Sequence, residues 1–306
     1  MSCAGRALPQ PPKAAVRPPA PDPWLSRRRL AQAGRRAAPF ERPPTRLVRD
    51  GRTAPLPLST SLRLLSFNIQ AGIRTERFRE YVTRGWRQLV HDPGRLANLD
   101  RIGDVLRGYD IVALQEVDAG SFRSGFTNQV AWLARRAGMP FWYAQRNRRL
   151  GRMAQHGNGL LARREPRDLL DHPLPSTMIP GRGAIVAHFD VEDGHPLTLL
   201  CAHLSLGPRS RERQLAWLAE QAAAAERVVL MGDLNCSLVD LLERSPLRDT
   251  DLRGAAEAGL PTYPSWRPRL DLDHVLVSPD IRVDAVTPVL CQFSDHLPLA
   301  VEVQLA

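Results

Sequence analysis

The sequence predicts a mixed α/β domain whose sheet is not purely parallel. Three observations lead there. Short apolar runs of strand length alternate with segments of helical periodicity from Ser61 onward. Two of the runs, 184–190 and 197–203, are separated by Glu192-Asp193-Gly194-His195, and Asp-Gly between apolar runs is a hairpin signal. A hairpin requires antiparallel pairing, which excludes a doubly wound parallel sheet. Finally, nothing like a linker interrupts 61–306, so one layered domain fits better than two.

In chain order, Leu62–Phe67 reads as a buried strand. Residues 95–107 place Leu96, Leu99, Ile102, Val105 and Leu106 at helical spacing, with Gly108 as the stop. Ile111–Leu114 follows as a strand. A helix near 128–137 ends at Gly138. After the hairpin, residues 210–225 are helical with Leu215, Leu218 and Ala222 on one face. Val228–Met231, Val275–Val277 and Leu299–Val301 complete the strands.

Charge divides the chain. Residues 1–60 hold 12 basic residues against 3 acidic ones, and the rest holds 30 against 29, so the formal charge of +10 belongs almost wholly to the N-terminal segment. That weakens any argument that the body grips a polyanion through bulk field. The same segment carries 12 of the 27 prolines and few bulky apolar residues. Proline at that density blocks helices and ladders, so 1–60 is expected to be a disordered Pro/Arg-rich extension. Its function would be a basic arm for phosphate or a membrane surface; the alternative is a plain solvated extension. No apolar run approaches the roughly 18 residues of a membrane span, and no signal-type apolar segment follows the early arginines. A cytoplasmic monomer is the default expectation. Cys3, Cys201, Cys236 and Cys291 show no zinc-type spacing.

Polar residues suited to metal binding and proton transfer recur at strand ends. Asn68 ends the first strand, Glu116 follows Ile111–Gln115, His203 ends Leu199–Ala202, and Asp233 and Asn235 follow Val228–Met231. Asp273 and His274 open the Val275 strand, and Asp295 and His296 open the last one. In antiparallel pairing a strand's start lies beside its neighbour's end, so these groups converge on one edge, where rigid strands hold them and loops admit substrate.

The segments Leu64–Ile69, Leu114–Val117, Gly157-Asn158-Gly159-Leu160-Leu161, Ala202-His203-Leu204, Gly232-Asp233-Leu234-Asn235, Leu272–Val275 and Ser294-Asp295-His296-Leu297-Pro298 occur in that order. Together they resemble the endonuclease/exonuclease/phosphatase superfamily over essentially all of 61–306. The resemblance implies a deoxyribonuclease-I-like two-sheet β-sandwich flanked by helices, four layers in all. It implies hydrolysis of a phosphoester, most simply a phosphodiester, with Mg²⁺ (or Mn²⁺). A hard carboxylate at Glu116 suits Mg²⁺, which takes few protein ligands. By resemblance Asn68 and Asp295 join it at the metal. His296 is then the general base, partnered by Asp273, and Asp233 and Asn235 position the water and phosphoryl oxygens. His203 donates to a non-bridging oxygen, and Asn158, read as a turn residue, is a lesser phosphate contact. Gln70 departs from the pattern, being a neutral amide where relatives often carry a better ligand. His274 reads as structural. Arg146–Arg152 is a basic loop near the cleft, and the aromatics of Thr262–Trp266 are a candidate substrate wall, with a packed loop as the alternative. The substrate stays open among a nucleic acid, a phospholipid and a small phosphodiester. A phosphomonoesterase and a non-catalytic binding protein of the same fold are the alternatives.

Overall fold

The structure is a computed structural model that describes residues 45–48, 55–73, 94–150, 153–176 and 181–305, with the backbone alone at 45–48 and 148–150. Among the described residues, two seven-stranded sheets face each other. Strands are numbered in chain order. One sheet runs β13 (Ile281–Pro288), β14 (Leu299–Leu305), β2 (Ser61–Asn68), β3 (Ile111–Asp118), β6 (Ala154–Ala162) and β4 (Phe141–Ala144), with β5 (Arg148–Leu150) also on β6. The other runs β1 (Thr45–Val48), β7 (Asp168–Pro173), β8 (Gly183–Phe189), β9 (Leu197–His203), β10 (Arg227–Asp233), β12 (Asp273–Val277) and β11 (Arg253–Gly254). The predicted hairpin is present as the antiparallel pair β8–β9.

Three apolar clusters define four layers. Leu62, Leu64, Ile111 and Leu160 of the first sheet meet Ile185, Leu199, Met231 and Val275 of the second between the sheets. Helices α1 (Gly94–Leu106) and α2 (Gln129–Ala137) cover the outer face of the first sheet through Leu99, Ile102, Val130 and Leu133. Helices α3 (Pro208–Ala223) and α4 (Leu238–Glu243) cover the second through Leu215, Leu218 and Leu241. The expected four-layer α/β/β/α sandwich is therefore what the chain forms.

Burial explains the sequence pattern. Strands β9 and β10 are buried at every position, because one face meets the other sheet and the opposite face meets α3. They accordingly read as apolar runs with polar residues chiefly at their ends. β14 alternates buried with less buried residues and so does its sequence. Helix ends follow local chemistry: Asn128 Oδ1 accepts from Val130 and Ala131 backbone N–H at 3.1 and 3.3 Å, and Gly138 takes φ 68° past the last turn of α2.

Two sequence expectations change. Asn158 is not in a turn: Gly157–Gly159 lies within β6, where Gly157 gives close approach to the Gln145 carbonyl. Part of the expected basic loop, Arg148–Leu150, is strand β5. Most of the expected extension 1–60 lies outside the described residues. Its end does not behave as an extension, because β1 pairs with β7 and Leu58 is buried in the inter-sheet core.

A buried ion pair closes the turn after β3. Asp118 accepts from Arg123 Nε at 2.5 Å, Ser121 Oγ at 2.7 Å and Ser124 Oγ at 3.0 Å. Burial pushes this carboxyl up, but the Arg123 charge and the hydroxyl donors outweigh it, and its pKa lies below the usual carboxylate value. The stability it contributes is thus present at neutral pH and lost as pH falls through that lowered pKa. Arg123→Ala, which strands the buried carboxylate, should cost about 3 kcal/mol in urea unfolding at pH 7. The deficit should shrink once Asp118 is protonated in both proteins; an equal deficit in acid would remove the ion pair as its cause.

Candidate active site

Pairing register brings the strand-end residues to one edge. β2 and β3 are parallel, with Asn68 beside Gln115, and β9 and β10 are parallel, with His203 beside Asp233. Parallel neighbours end together, so each pair of strands finishes at one side of its own sheet. β12 runs antiparallel to β10 and starts there, with Asp273 opposite Asp233. β14 runs antiparallel to β2, with Leu299 opposite Ser66, so Asp295 and His296 just before it arrive at that edge too. The Asn68 amide crosses the sandwich to donate to Asp233 Oδ2 at 3.0 Å.

Backbone irregularities aim the side chains. Register shifts between Leu114 and Val117 in β3, a bulge that leaves Glu116 at φ 55°. Asn235 and Gln70 also lie in the left-handed region, at φ 53° and 45°. Such conformations cost non-glycine residues roughly 1–3 kcal/mol each and cluster where function requires a fixed direction. Glu116 Oε1 comes within 4.0 Å of His203 Nε2, and that nitrogen is 3.4 Å from Asp233 Oδ2. Glu116 therefore does reach the pocket shared by Asp233 and His296.

The two imidazoles carry opposite settings. Asp273 Oδ2 accepts from His296 Nδ1 at 2.8 Å and from Thr262 Oγ1 at 2.6 Å. This places the His296 proton on Nδ1 and aims Nε2 at Asp233 Oδ2, 3.8 Å away. Burial opposes the charged imidazole, yet Asp273, Asp233 and Asp295 hold its pKa up to about 10. His203 Nδ1 lies 3.1 Å from Arg182 Nη1. A guanidinium only donates, so that nitrogen is bare and Nε2 carries the proton. Burial and the Arg182 charge keep the His203 pKa well below its usual value, so the ring is a neutral donor.

Carboxylates outnumber cations in the pocket. Burial raises Asp233 to about 7; His296 lowers it, while Asp273 and Glu116 push it further up. Asp295 rises to about 6 through burial, against the pull of His296 and with help from Glu116. Asp273 Oδ1 is buried without a hydrogen-bond partner. Surplus negative charge on hard oxygen donors, one of them orphaned, fits a divalent ion of the Mg²⁺ class. Ligand atoms of Asp233, Asp273 and His296 lie within 4.8 Å of one another, and Glu116, partly open to solvent, lies beside them. The residues present therefore fit a metal.

Asn68, Glu116, His203, Asp233, Asp273, Asp295 and His296 are thus brought together. Asn235 is adjacent: its backbone N–H donates to Asp233 Oδ1 at 3.2 Å and its amide to the Leu204 carbonyl at 2.9 Å. Asn158 lies on β6 opposite the bulge that carries Glu116, and its hydrogen bonds are made within the protein. Its amide nitrogen donates to Gln145 Oε1 at 2.9 Å and to the Gly183 carbonyl at 2.8 Å, which ties the two sheets and leaves no N–H for a phosphate. His274 donates to the Cys236 and Asp271 carbonyls at 2.8 and 2.9 Å, a structural role as expected. Sequence reasoning missed Arg182 and gave no separate role to Thr262 or to Ser294, whose hydroxyl donates to the Asn68 carbonyl at 2.7 Å. Only the Ser-Asp-His and Thr-Tyr contexts could have signalled the last two. The Tyr263 ring sits 4.8 Å from the His296 ring, so the aromatic segment does border the site.

Residues 65–296 match the endonuclease/exonuclease/phosphatase family. The chain belongs to this family. Its members are phosphoesterases and generally use divalent metals. No curated protein matches the chain. Solved structures share the fold. A family member from Beutenbergia cavernae superposes with a TM-score of 0.63 at 22% identity, covering 80% of this chain and 72% of that one. A mannosyl-6-phosphatase of Bacteroides thetaiotaomicron gives 0.56 at 17% identity, covering 79% and 99%. Truncated TDP2 of Caenorhabditis elegans gives 0.54 at 16%, covering 80% and 98%. Within the family's phosphoesterase chemistry, the pocket above supplies oxygen ligands, a paired imidazole and neutral donors.

Proposed function

We propose that the chain is a phosphodiesterase dependent on Mg²⁺ or Mn²⁺. The observation that carries this reading is the convergence of the half-buried Glu116 and the buried Asp233, Asp273 and Asp295 with two oppositely set imidazoles. Glu116, Asn68 and Asp295 would hold the cation. A bound divalent ion supplies charge neutralisation on the phosphoryl oxygens and offsets the carboxylate field that otherwise keeps His296 protonated. His296 Nε2 then takes a proton from the attacking water while Asp273 fixes the ring. The water oxygen bonds to phosphorus, the ester P–O bond breaks, and the proton passes to the leaving oxygen. Asp233 and Asn235 position the water and phosphoryl group. The His203 Nε2–H donates to a non-bridging oxygen as charge builds there.

Turnover of bis-(p-nitrophenyl) phosphate by the purified chain tests this reading. Activity should require Mg²⁺ or Mn²⁺ and vanish with EDTA. Glu116→Gln should raise the Mg²⁺ concentration for half-maximal rate by about tenfold or more. An unchanged metal requirement would remove Glu116 from the ligand set. Preference for p-nitrophenyl phosphate over the diester would move the assignment to a monoesterase.

A further inference from the structure

The loops at the catalytic edge carry exposed apolar side chains that no catalytic role uses. Leu290, on the loop before β14, is 87% exposed, and Leu206, on the loop after β9, is 74% exposed. Leu270 lies on the hairpin before β12, Met153 in the turn just before β6, and Phe122 and Phe126 in the turn after β3; all four are exposed. The register places each of these loops on one side: β3 and β9 end there, and β6, β12 and β14 begin there. Phe122 and Phe126 meet edge to face at 6.4 Å, an aromatic pair held outward rather than packed into the core.

Charge is arranged to match. Among the described residues, these loops and the first turn of α3 expose Arg146, Arg209, Arg267 and Arg269 against one exposed acid, Glu257, while Asp271 and Asp295 are partly or wholly buried. The opposite edge carries both signs, with exposed Glu192, Asp193, Glu226 and Asp280 alongside exposed Arg107, Arg163, Arg164 and Arg167. Among the described residues, the loops around the catalytic pocket are thus apolar with an excess of arginine, whereas the opposite edge mixes acids with arginines. Exposed apolar groups and arginines gathered on the loops of one edge suit docking on anionic lipid. Single-stranded nucleic acid fits less well, because bases stack on aromatic rings and four of the six groups are Leu or Met.

We propose that the catalytic edge docks on an anionic membrane surface, with the leucines and phenylalanines in the interfacial layer and the arginines on lipid phosphates. A headgroup phosphoester would then face the pocket. The substrate class rests on the phosphoesterase reading; the docking itself does not.

Co-sedimentation of the full chain with phosphatidylcholine vesicles containing about one third phosphatidylglycerol, in EDTA, tests the docking. The chain should sediment with them. Leu206→Asp combined with Leu290→Asp should lower the partition coefficient by about tenfold or more, with an unchanged melting midpoint. The proposal fails if the wild-type chain stays in the supernatant. It also fails if the double variant binds equally well and about 1 M salt releases both proteins, which assigns binding to the basic N-terminal segment. Tighter binding to a single-stranded oligonucleotide, lost in the double variant, overturns it in favour of nucleic acid. Turnover of bis-(p-nitrophenyl) phosphate needs no surface, so intact turnover without vesicle binding sinks the docking alone, whereas binding without turnover sinks the phosphodiesterase reading.

Discussion

Replacing His296 by alanine should lower kcat for bis-(p-nitrophenyl) phosphate by roughly 10²–10⁴ at saturating Mg²⁺, with a much smaller change in KM. The imidazole is the pocket's best-placed proton acceptor, since Asp273 accepts a hydrogen bond from its Nδ1–H and leaves Nε2 directed inward. Asp273→Asn is the informative companion. An amide in place of the carboxylate removes the charge that raises His296 and can turn an N–H toward the ring, so it no longer fixes the tautomer. The two variants should therefore share one defect, and combining them should cost little more than either alone. A fall of less than about tenfold for His296→Ala would take this residue out of proton transfer. The unfolding midpoint in EDTA gives the control: if it drops steeply for His296→Ala, lost activity reports lost fold.

Gly232→Ala should damage the fold severely, costing upward of about 4 kcal/mol or preventing folding altogether. Gly232 adopts φ 152°, and a Cβ there would stand 1.8 Å from the Ala202 carbonyl oxygen on the neighbouring strand. The obstacle is backbone of a buried strand, so no rotamer change relieves it. Relief requires β9 and β10 to part, and these strands carry His203 and Asp233 one residue further along. Circular dichroism and urea unfolding measure the result. A variant that folds with wild-type stability would show that the two strands tolerate a shift and would undercut the claim that this register sets the site. Gly138→Ala is the useful contrast: its φ is also positive, at 68°, but open space surrounds the Cβ position, so only the conformational cost of about 1 kcal/mol is expected.

The buried central strands and the amphipathic helices were legible because each is a local pattern. β9 and β10 are apolar at nearly every position, and α1 repeats its leucines at helical spacing. The strands that escaped detection lack such a pattern. β4 to β6 contain aromatics, arginines and a Gly-Asn-Gly run, because close approach of Gly157 to the Gln145 backbone matters there more than apolar alternation. β7 and β13 mix charged with apolar residues and likewise gave no clear period. Asn158 was misplaced for a related reason. Asparagine between glycines favours turns locally, whereas here its amide satisfies buried acceptors between two sheets.

Sequence alone determined the layered α/β class and the identities of the polar groups at the strand ends, since both depend on residue type and near-neighbour spacing. Folding in three dimensions decided which of those groups share a pocket, which way each imidazole holds its proton, and how far their charges shift one another. Those properties depend on contacts such as Arg182 with His203 and Asn68 with Asp233, the latter 165 positions apart in the chain. Electrostatic coupling and hydrogen bonding fall off over a few ångströms of space, whatever the separation along the backbone.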